Sequence, residues 1–202
     1  MIVLASGSAS RRAMLEAAGV AFEVIRPQVD EDAAKASLKA EGLEARGLAD
    51  ALAELKALSV SRRQAGRIVI GSDSIVELAA HGSEQGVMLD KPETREHAAQ
   101  QLCAMRGGTH RLVSAVVGAR DGVAFWRHVD VAKLHVRSFS DAFLESYLDA
   151  EWPAIAGCVG CFRIEGPGVQ LFSKVEGSQF TILGMPLLPL LGWLRDTGEM
   201  PA

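Results

Sequence analysis

Cysteine is scarce in this chain. It holds three, Cys103, Cys158 and Cys161, an odd number in a protein too long to need staples. A chain of 202 residues buries roughly 70% of its unfolded surface around a single core, so neither disulfides nor a structural metal is required. Free thiols and a reducing, cytoplasmic compartment are expected. Excess positive charge is also missing: 21 basic against 25 acidic side chains leave a formal charge of −4. Non-specific binding to a phosphate backbone is therefore not expected, and any anionic ligand must be met by a local cluster of Lys and Arg. No apolar run is long enough for a membrane, since Met185–Leu194 is broken by Pro186, Pro189 and Gly192 and a span takes about 20 residues. The N terminus places its apolar run before its arginines, the reverse of a secretory signal, so no export is expected. Neither a repeat nor a linker tract appears. What remains is an ordinary globular composition, 49% apolar and 23% charged, and one continuous domain over 1–202 that folds as two lobes.

Hydrophobic periodicity predicts a mixed α/β chain. Ile2–Ala5 reads as a buried strand, followed by the small polar loop Ser6-Gly7-Ser8-Ala9-Ser10 and a helix from about Arg11 to Ala18. Phe22–Ile25 is a second strand, and Asp30, Glu31 and Asp32 follow Pro27 in an acidic loop. Leu48, Leu52, Leu55 and Leu58 mark an amphipathic helix to about Arg62, with Lys56 one position off the apolar stripe and suited to a cleft edge. Arg67–Gly71 and Ile75–Leu78 are strand-like on either side of Ser72-Asp73-Ser74, and His81–Gly86 reads as a turn. Lys91-Pro92 falls in a loop before a helix over Arg95–Met105. Asp121-Gly122 signals a hairpin between Thr109–Ala119 and Phe125–Val136. A helix capped by Ser140, a strand over Val169–Val175 and a closing helix from Pro186 to Arg195 complete the chain.

The opening strand, loop and helix put free backbone N–H groups, a helix dipole and the guanidinium groups of Arg11 and Arg12 in one place, which suits a phosphate. The plain alternative is a serine-capped surface helix with two solvated arginines. Asp73 stands inside apolar sequence, where an ionised group must be paired, satisfied by turn N–H groups, or bound to a cation. Asp73 with Glu31 supplies the carboxylates that Mg²⁺ takes alongside phosphate oxygens. Cys158-Val159-Gly160-Cys161 has the spacing of half a zinc site, yet no second pair exists and none of the five histidines lies at ligand spacing beside it. Trp126 and Trp152 are candidates for stacking on a base, or for core and rim positions. No G-x-S-x-G nucleophile motif occurs.

Taken in order, these pieces resemble the Maf-like nucleoside triphosphate pyrophosphatases along essentially the whole chain. Leu4-Ala5-Ser6-Gly7-Ser8-Ala9-Ser10-Arg11 stands for the family's L-A-S-x-S-P-R-R, with Ala9 for the proline and Ser10 for the first arginine. Val29-Asp30-Glu31, Leu52-Ala53-Glu54-Leu55-Lys56-Ala57, Gly71-Ser72-Asp73-Ser74, Lys91-Pro92, Gly107-Gly108-Thr109-His110 and Gly184-Met185-Pro186-Leu187 match further family motifs at the family's spacing. The resemblance implies a mixed, strongly twisted sheet flanked by helices, with two lobes around a nucleotide cleft, as in Maf and Ham1 proteins. It implies hydrolysis of a nucleoside triphosphate between the α and β phosphates, with a divalent cation, Mg²⁺ first and Mn²⁺ or Co²⁺ as alternatives. Asp73, Lys56, Lys91 and Arg11 then carry catalysis, Glu31 and Asp73 hold the metal, and Ser6, Ser8, Ser10, Arg12, Ser74 and Glu165 contact substrate. Asp73 serves either as general base or as a metal ligand that holds the attacking water. A homodimer is what the family suggests.

Arg163-Ile164-Glu165-Gly166 resembles the 7-methyl-GTP-preferring branch, because the dTTP/UTP-preferring branch has glutamine at Glu165. A carboxylate accepts from the guanine N1–H and exocyclic amine and suits a positively charged base. Ser10 stands where that branch usually has tryptophan, and Ser10, Ser74 and Glu165 are the positions expected to set base choice. Two readings of other classes compete. One is a nucleotide-binding regulator of the septum-formation type with little turnover; the other is a zinc-bound interaction module on Cys158 and Cys161.

Overall fold

Every residue of Ile2–Ala5 is buried, and the run forms strand β1. In the computed structural model, which describes residues 1–78 and 86–201, β1 pairs in parallel with β2 (Phe22–Val24) and with β3 (Val69–Leu78). A strand paired in parallel on both edges is covered on both faces, which explains its unbroken apolar sequence. The remaining strands are β4 (Met88–Leu89), β5 (Thr109–Arg120), β6 (Val123–Val136) and β7 (Phe172–Glu176). Together they make a seven-stranded mixed sheet in the order β2-β1-β3-β5-β6-β7, with β4 antiparallel on β3. The helices flanking it are α1 (Ala9–Ala17), α2 (Glu31–Ala40), α3 (Ala45–Ser61), α4 (Arg95–Met105), α5 (Asp141–Glu151), α6 (Gln179–Ile182) and α7 (Leu187–Asp196). Among the described residues, no helix is long and apolar enough to cross a membrane. Apart from Gly86, the turn expected over His81–Gly86 lies outside the described residues.

The chain divides into two compact units, the first made of Met1–Ser74, Val113–Asp130 and Ser178–Ala202, the second of Ile75–Leu112 and Val131–Gly177. In the first unit, Leu4, Leu15, Ile70, Val116, Leu190 and Leu194 share one buried cluster. Each such side chain contributes about 1.5–3 kcal/mol on burial. Trp126 stacks on Trp193 of this cluster, with ring centroids 4.6 Å apart and planes 7° from parallel, so its ring serves the packing of the first unit. The hairpin at Asp121-Gly122 forms as expected. Both residues have positive φ, 52° and 77°, as a two-residue turn of the mirror-image type requires. Asp121 Oδ1 accepts from the Gly66 N–H at 2.7 Å and ties the turn to the loop before β3.

Two local expectations for the first unit need correction. The acidic run is the start of a helix: Asp30 caps α2 by accepting from the Ala33 N–H at 3.0 Å, and Glu31 and Asp32 occupy its first turn, where the helix dipole favours negative charge. The buried face of α3 carries Ala45, Leu48, Ala49, Leu52, Ala53, Lys56, Ala57 and Val60, while Leu55 is exposed. The true stripe follows the alanines as much as the leucines, and Lys56 lies on it.

In the second unit, the strand expected over Val169–Val175 begins only at Phe172, after a 3-10 turn over Pro167–Leu171. The cause is local: a Cβ on Gly168 would lie 2.5 Å from the Arg163 carbonyl oxygen, so the chain folds back tightly on itself there. His110 is buried, and neither ring nitrogen has a hydrogen-bond partner among the described residues. It packs against Phe162 and Phe172 at 5.8 Å in each case, and burial depresses its pKa to about 4.

Candidate active site

Gly71 in β3 sets the geometry of the first unit's charged cluster. A Cβ there would fall 2.2 Å from the Ala53 carbonyl oxygen and 2.6 Å from the Ala57 nitrogen, so α3 lies directly against β3 because Gly71 has no side chain. That approach carries Lys56, on the buried face of α3, to Asp73, two residues along β3. Lys56 Nζ donates to Asp73 Oδ1 at 2.6 Å and lies 2.8 Å from Glu31 Oε2. Lys56 and Asp73 are 4% and 8% exposed, so the strand expectation for Asp73 holds and its cation is a lysine of the same unit. Glu31 enters from the first turn of α2 and keeps a half-open side chain.

Arg11 is the second element of the cluster. Ser8 caps α1 and accepts from the Arg11 N–H at 3.4 Å, and the Arg11 guanidinium turns inward, 8% exposed. Its nitrogens donate to the Gly184 carbonyl at 2.8 Å, Ser74 Oγ at 3.1 Å and Ser6 Oγ at 3.4 Å. All three acceptors are neutral. Burial pulls the guanidinium pKa below its ordinary range, against the opposing fields of Asp73 and Glu31. A buried cation held by neutral oxygens retains its charge for an incoming anion. Ser6 also accepts from the Ser8 N–H at 3.2 Å, which orders the loop.

The other expected residues divide by location. Ser10 is half-buried in the first turn of α1, and Arg12 is exposed, 3.6 Å from Glu16. Ser74, half-buried, sits in a web of hydroxyls with the fully buried Ser72 and Ser114. Ser114 carries no motif; its one signal in the sequence is a polar residue inside the apolar run from Leu112 to Ala119. Lys91 and Glu165 belong to the second unit and are exposed. Two residues before Glu165, Arg163 makes a two-pronged ion pair with the buried Glu151, 2.9 Å on both prongs. Cys158 lies close enough to feel the charges of Glu165 and Lys91, and burial is the main cause of its raised thiol pKa. Cys161 donates from Sγ to Gln101 Oε1 at 3.1 Å, and burial pushes its thiol up to about 12. Zinc takes thiolate, and both environments oppose it; among the described residues, no three His, Cys, Asp or Glu side chains form a metal-binding group.

Asp73 Oδ1 and Glu31 Oε2 converge on one ammonium. Two hard carboxylate oxygens aimed at a common point match what Mg²⁺ takes from a protein when phosphate oxygens and water complete its shell. The carboxylate chemistry suits a hard divalent cation, while the point on which these two oxygens converge is held by the Lys56 ammonium.

Comparison with known proteins gives the family of the chain. A nucleoside triphosphate pyrophosphatase of Sphingopyxis alaskensis is 52% identical over 200 residues, covering 99% of this chain and 98% of that protein. Proteins of the same description from Granulibacter bethesdensis and Caulobacter vibrioides are each 49% identical, covering 96% and 98% of this chain and 96% of each relative. The family described as Maf-like protein matches residues 1–197, a span holding Arg11, Glu31, Lys56, Asp73 and the Gly184 carbonyl that anchors Arg11, and the chain belongs to that family.

Proposed function

We propose that the chain hydrolyses a nucleoside triphosphate between its α and β phosphates, yielding the nucleoside monophosphate and pyrophosphate. The observation that carries this reading is the pairing, in one unit, of a buried guanidinium on neutral acceptors with a buried lysine between two carboxylates. Such a cluster suits a polyanion whose reaction builds further charge, because phosphoryl transfer is catalysed mainly by positioning and by cations placed in advance. Arg11 and Lys56, both of the first unit, receive phosphate oxygens. Asp73 Oδ1 is occupied by Lys56, and no hydrogen bond to Oδ2 is made among the described residues. Oδ2 takes the proton from the attacking water as the new oxygen–phosphorus bond forms and the α–β bridging bond breaks, with pyrophosphate leaving. Glu31 and Asp73 Oδ1, once Lys56 has turned from them to the phosphates, would hold Mg²⁺, or Mn²⁺ or Co²⁺, which would supply charge neutralisation there.

Base choice rests on Glu165. Its carboxylate is exposed and makes no hydrogen bond among the described residues, so both oxygens are available to guanine N1–H and the exocyclic amine, and 7-methyl-GTP or another modified nucleotide is the substrate proposed. The free thiols support a reducing, cytoplasmic setting. The test is pyrophosphate release from standard and methylated nucleoside triphosphates, wild type beside Glu165→Gln. The expected result is turnover led by 7-methyl-GTP, with that lead lost in the variant. An unchanged substrate ranking removes Glu165 from base recognition, and no release from any nucleotide removes the hydrolytic reading.

A further inference from the structure

We infer that Ser114, on β5, is a positioning residue for Arg11 and acts through Ser74; the inference rests on the reading of Arg11 as a phosphate-binding cation. Each serine hydroxyl has one proton to donate. Ser114 is fully buried, and its Oγ lies 2.7 Å from the Thr181 carbonyl oxygen and 2.8 Å from Ser74 Oγ. A carbonyl only accepts, so the single Ser114 hydroxyl proton goes to Thr181. Across the 2.8 Å contact Ser74 must then be the donor, and its own single proton is used. The 3.1 Å contact between Ser74 Oγ and Arg11 Nη2 is left to the guanidinium to donate.

Hydrogen bonds therefore run one way, from the Arg11 cation through Ser74 and Ser114 to the Thr181 peptide. Each hydroxyl polarises the next in the same sense, which strengthens such a chain. The far end is fixed, because Thr181 is fully buried and its hydroxyl donates to Asp130 Oδ2 at 2.6 Å. The other anchor of Arg11 is the Gly184 carbonyl, which also lies 2.9 Å from Ser72 Oγ. Without Ser114, the Ser74 proton turns to that same carbonyl, 3.3 Å away, and competes there with Arg11 Nε and Ser72. Ser74 in this arrangement has no proton to offer a nucleotide base, so its contribution is to the orientation of the guanidinium.

The experiment measures affinity for an α,β-methylene nucleoside triphosphate with Mg²⁺, which reads binding without turnover. The variants are Ser114→Ala, Ser74→Ala and Arg11→Lys, singly and in pairs, with thermal unfolding of each. Ser114→Ala is expected to weaken binding about tenfold, the scale of one charge-assisted contact. Ser74→Ala, at a half-exposed position that tolerates truncation, should do the same, and the double variant should lose no more than either alone. In the Arg11→Lys background the Ser114→Ala effect should vanish, whereas a purely structural role would persist there. Losses that add, or unchanged affinity in Ser114→Ala and Ser74→Ala while Arg11→Lys binds weakly, overturn the positioning inference alone. Unchanged affinity in Arg11→Lys overturns the reading of Arg11 as well.

Discussion

Replacing Gly71 by alanine tests whether the close approach of α3 to β3 is what assembles the charged cluster. The added Cβ falls 2.2 Å from the Ala53 carbonyl oxygen, and 3.0 Å is the least that real Cβ atoms show. Helix and strand must separate by about 0.8 Å to relieve that contact alone, and the Ala57 nitrogen at 2.6 Å resists in the same direction. Overpacking of this kind destabilises by about 1–3 kcal/mol. The same displacement takes the Lys56–Asp73 contact from 2.6 Å toward the outer limit of a hydrogen bond. A misplacement of roughly 1 Å costs on the order of 10²-fold in rate. Urea unfolding should show the stability loss with an unchanged m-value, and pyrophosphate release below the unfolding transition should fall about a hundredfold. A Gly71→Ala protein that loses the expected stability yet turns over within twofold of wild type refutes the reasoning, because Lys56 and Asp73 would then not depend on this contact.

Two further outcomes follow from the second unit. His110 titrates at about 4 in the folded chain against 6.5 when exposed, so the unfolded state binds more protons between those values. Its contribution is fully present above pH 6.5 and is lost as pH falls toward 4, on the order of 3 kcal/mol in all. Stability measured from pH 7 to 4 should fall less steeply in His110→Phe than in wild type, and parallel curves would show that the buried imidazole is not the sensor. Replacing both Cys158 and Cys161 by serine should leave the rate of pyrophosphate release within about threefold, since neither thiol is assigned a part in the reaction. Loss of a bound metal together with unfolding would instead restore the zinc reading.

Much of the cluster was legible in the sequence because charge inside apolar sequence is rare and therefore informative. Asp73 stands between two apolar runs, and Arg11 follows a serine loop at a helix start; both lie where those patterns place them. Lys56 was legible as a residue and misplaced as a side chain. Counting only leucines rotated α3, whereas the alanines at 45, 49, 53 and 57 mark the face that meets the sheet, small because Gly71 brings the backbones together. The start of α2 was also recoverable, since Asp30 followed by two acids and Ala33-Ala34 is a capped helix start. Ser114 was not recoverable: its role depends on neighbours 40 and 67 residues away, which no local pattern reports. The delayed start of β7 depended likewise on the return of Gly168 onto Arg163, a contact that strand propensity at Val169 does not reveal.

The central claim is that the Lys56–Asp73 pair in the first unit performs hydrolysis of a nucleoside triphosphate. The most direct measurement is pyrophosphate release with Mg²⁺ by wild type and Asp73→Asn, alongside nucleotide affinity for both. The account predicts that turnover vanishes in the variant while affinity stays within about tenfold, because the change removes a proton acceptor and leaves the cations in place. A variant that keeps half of the wild-type rate contradicts it.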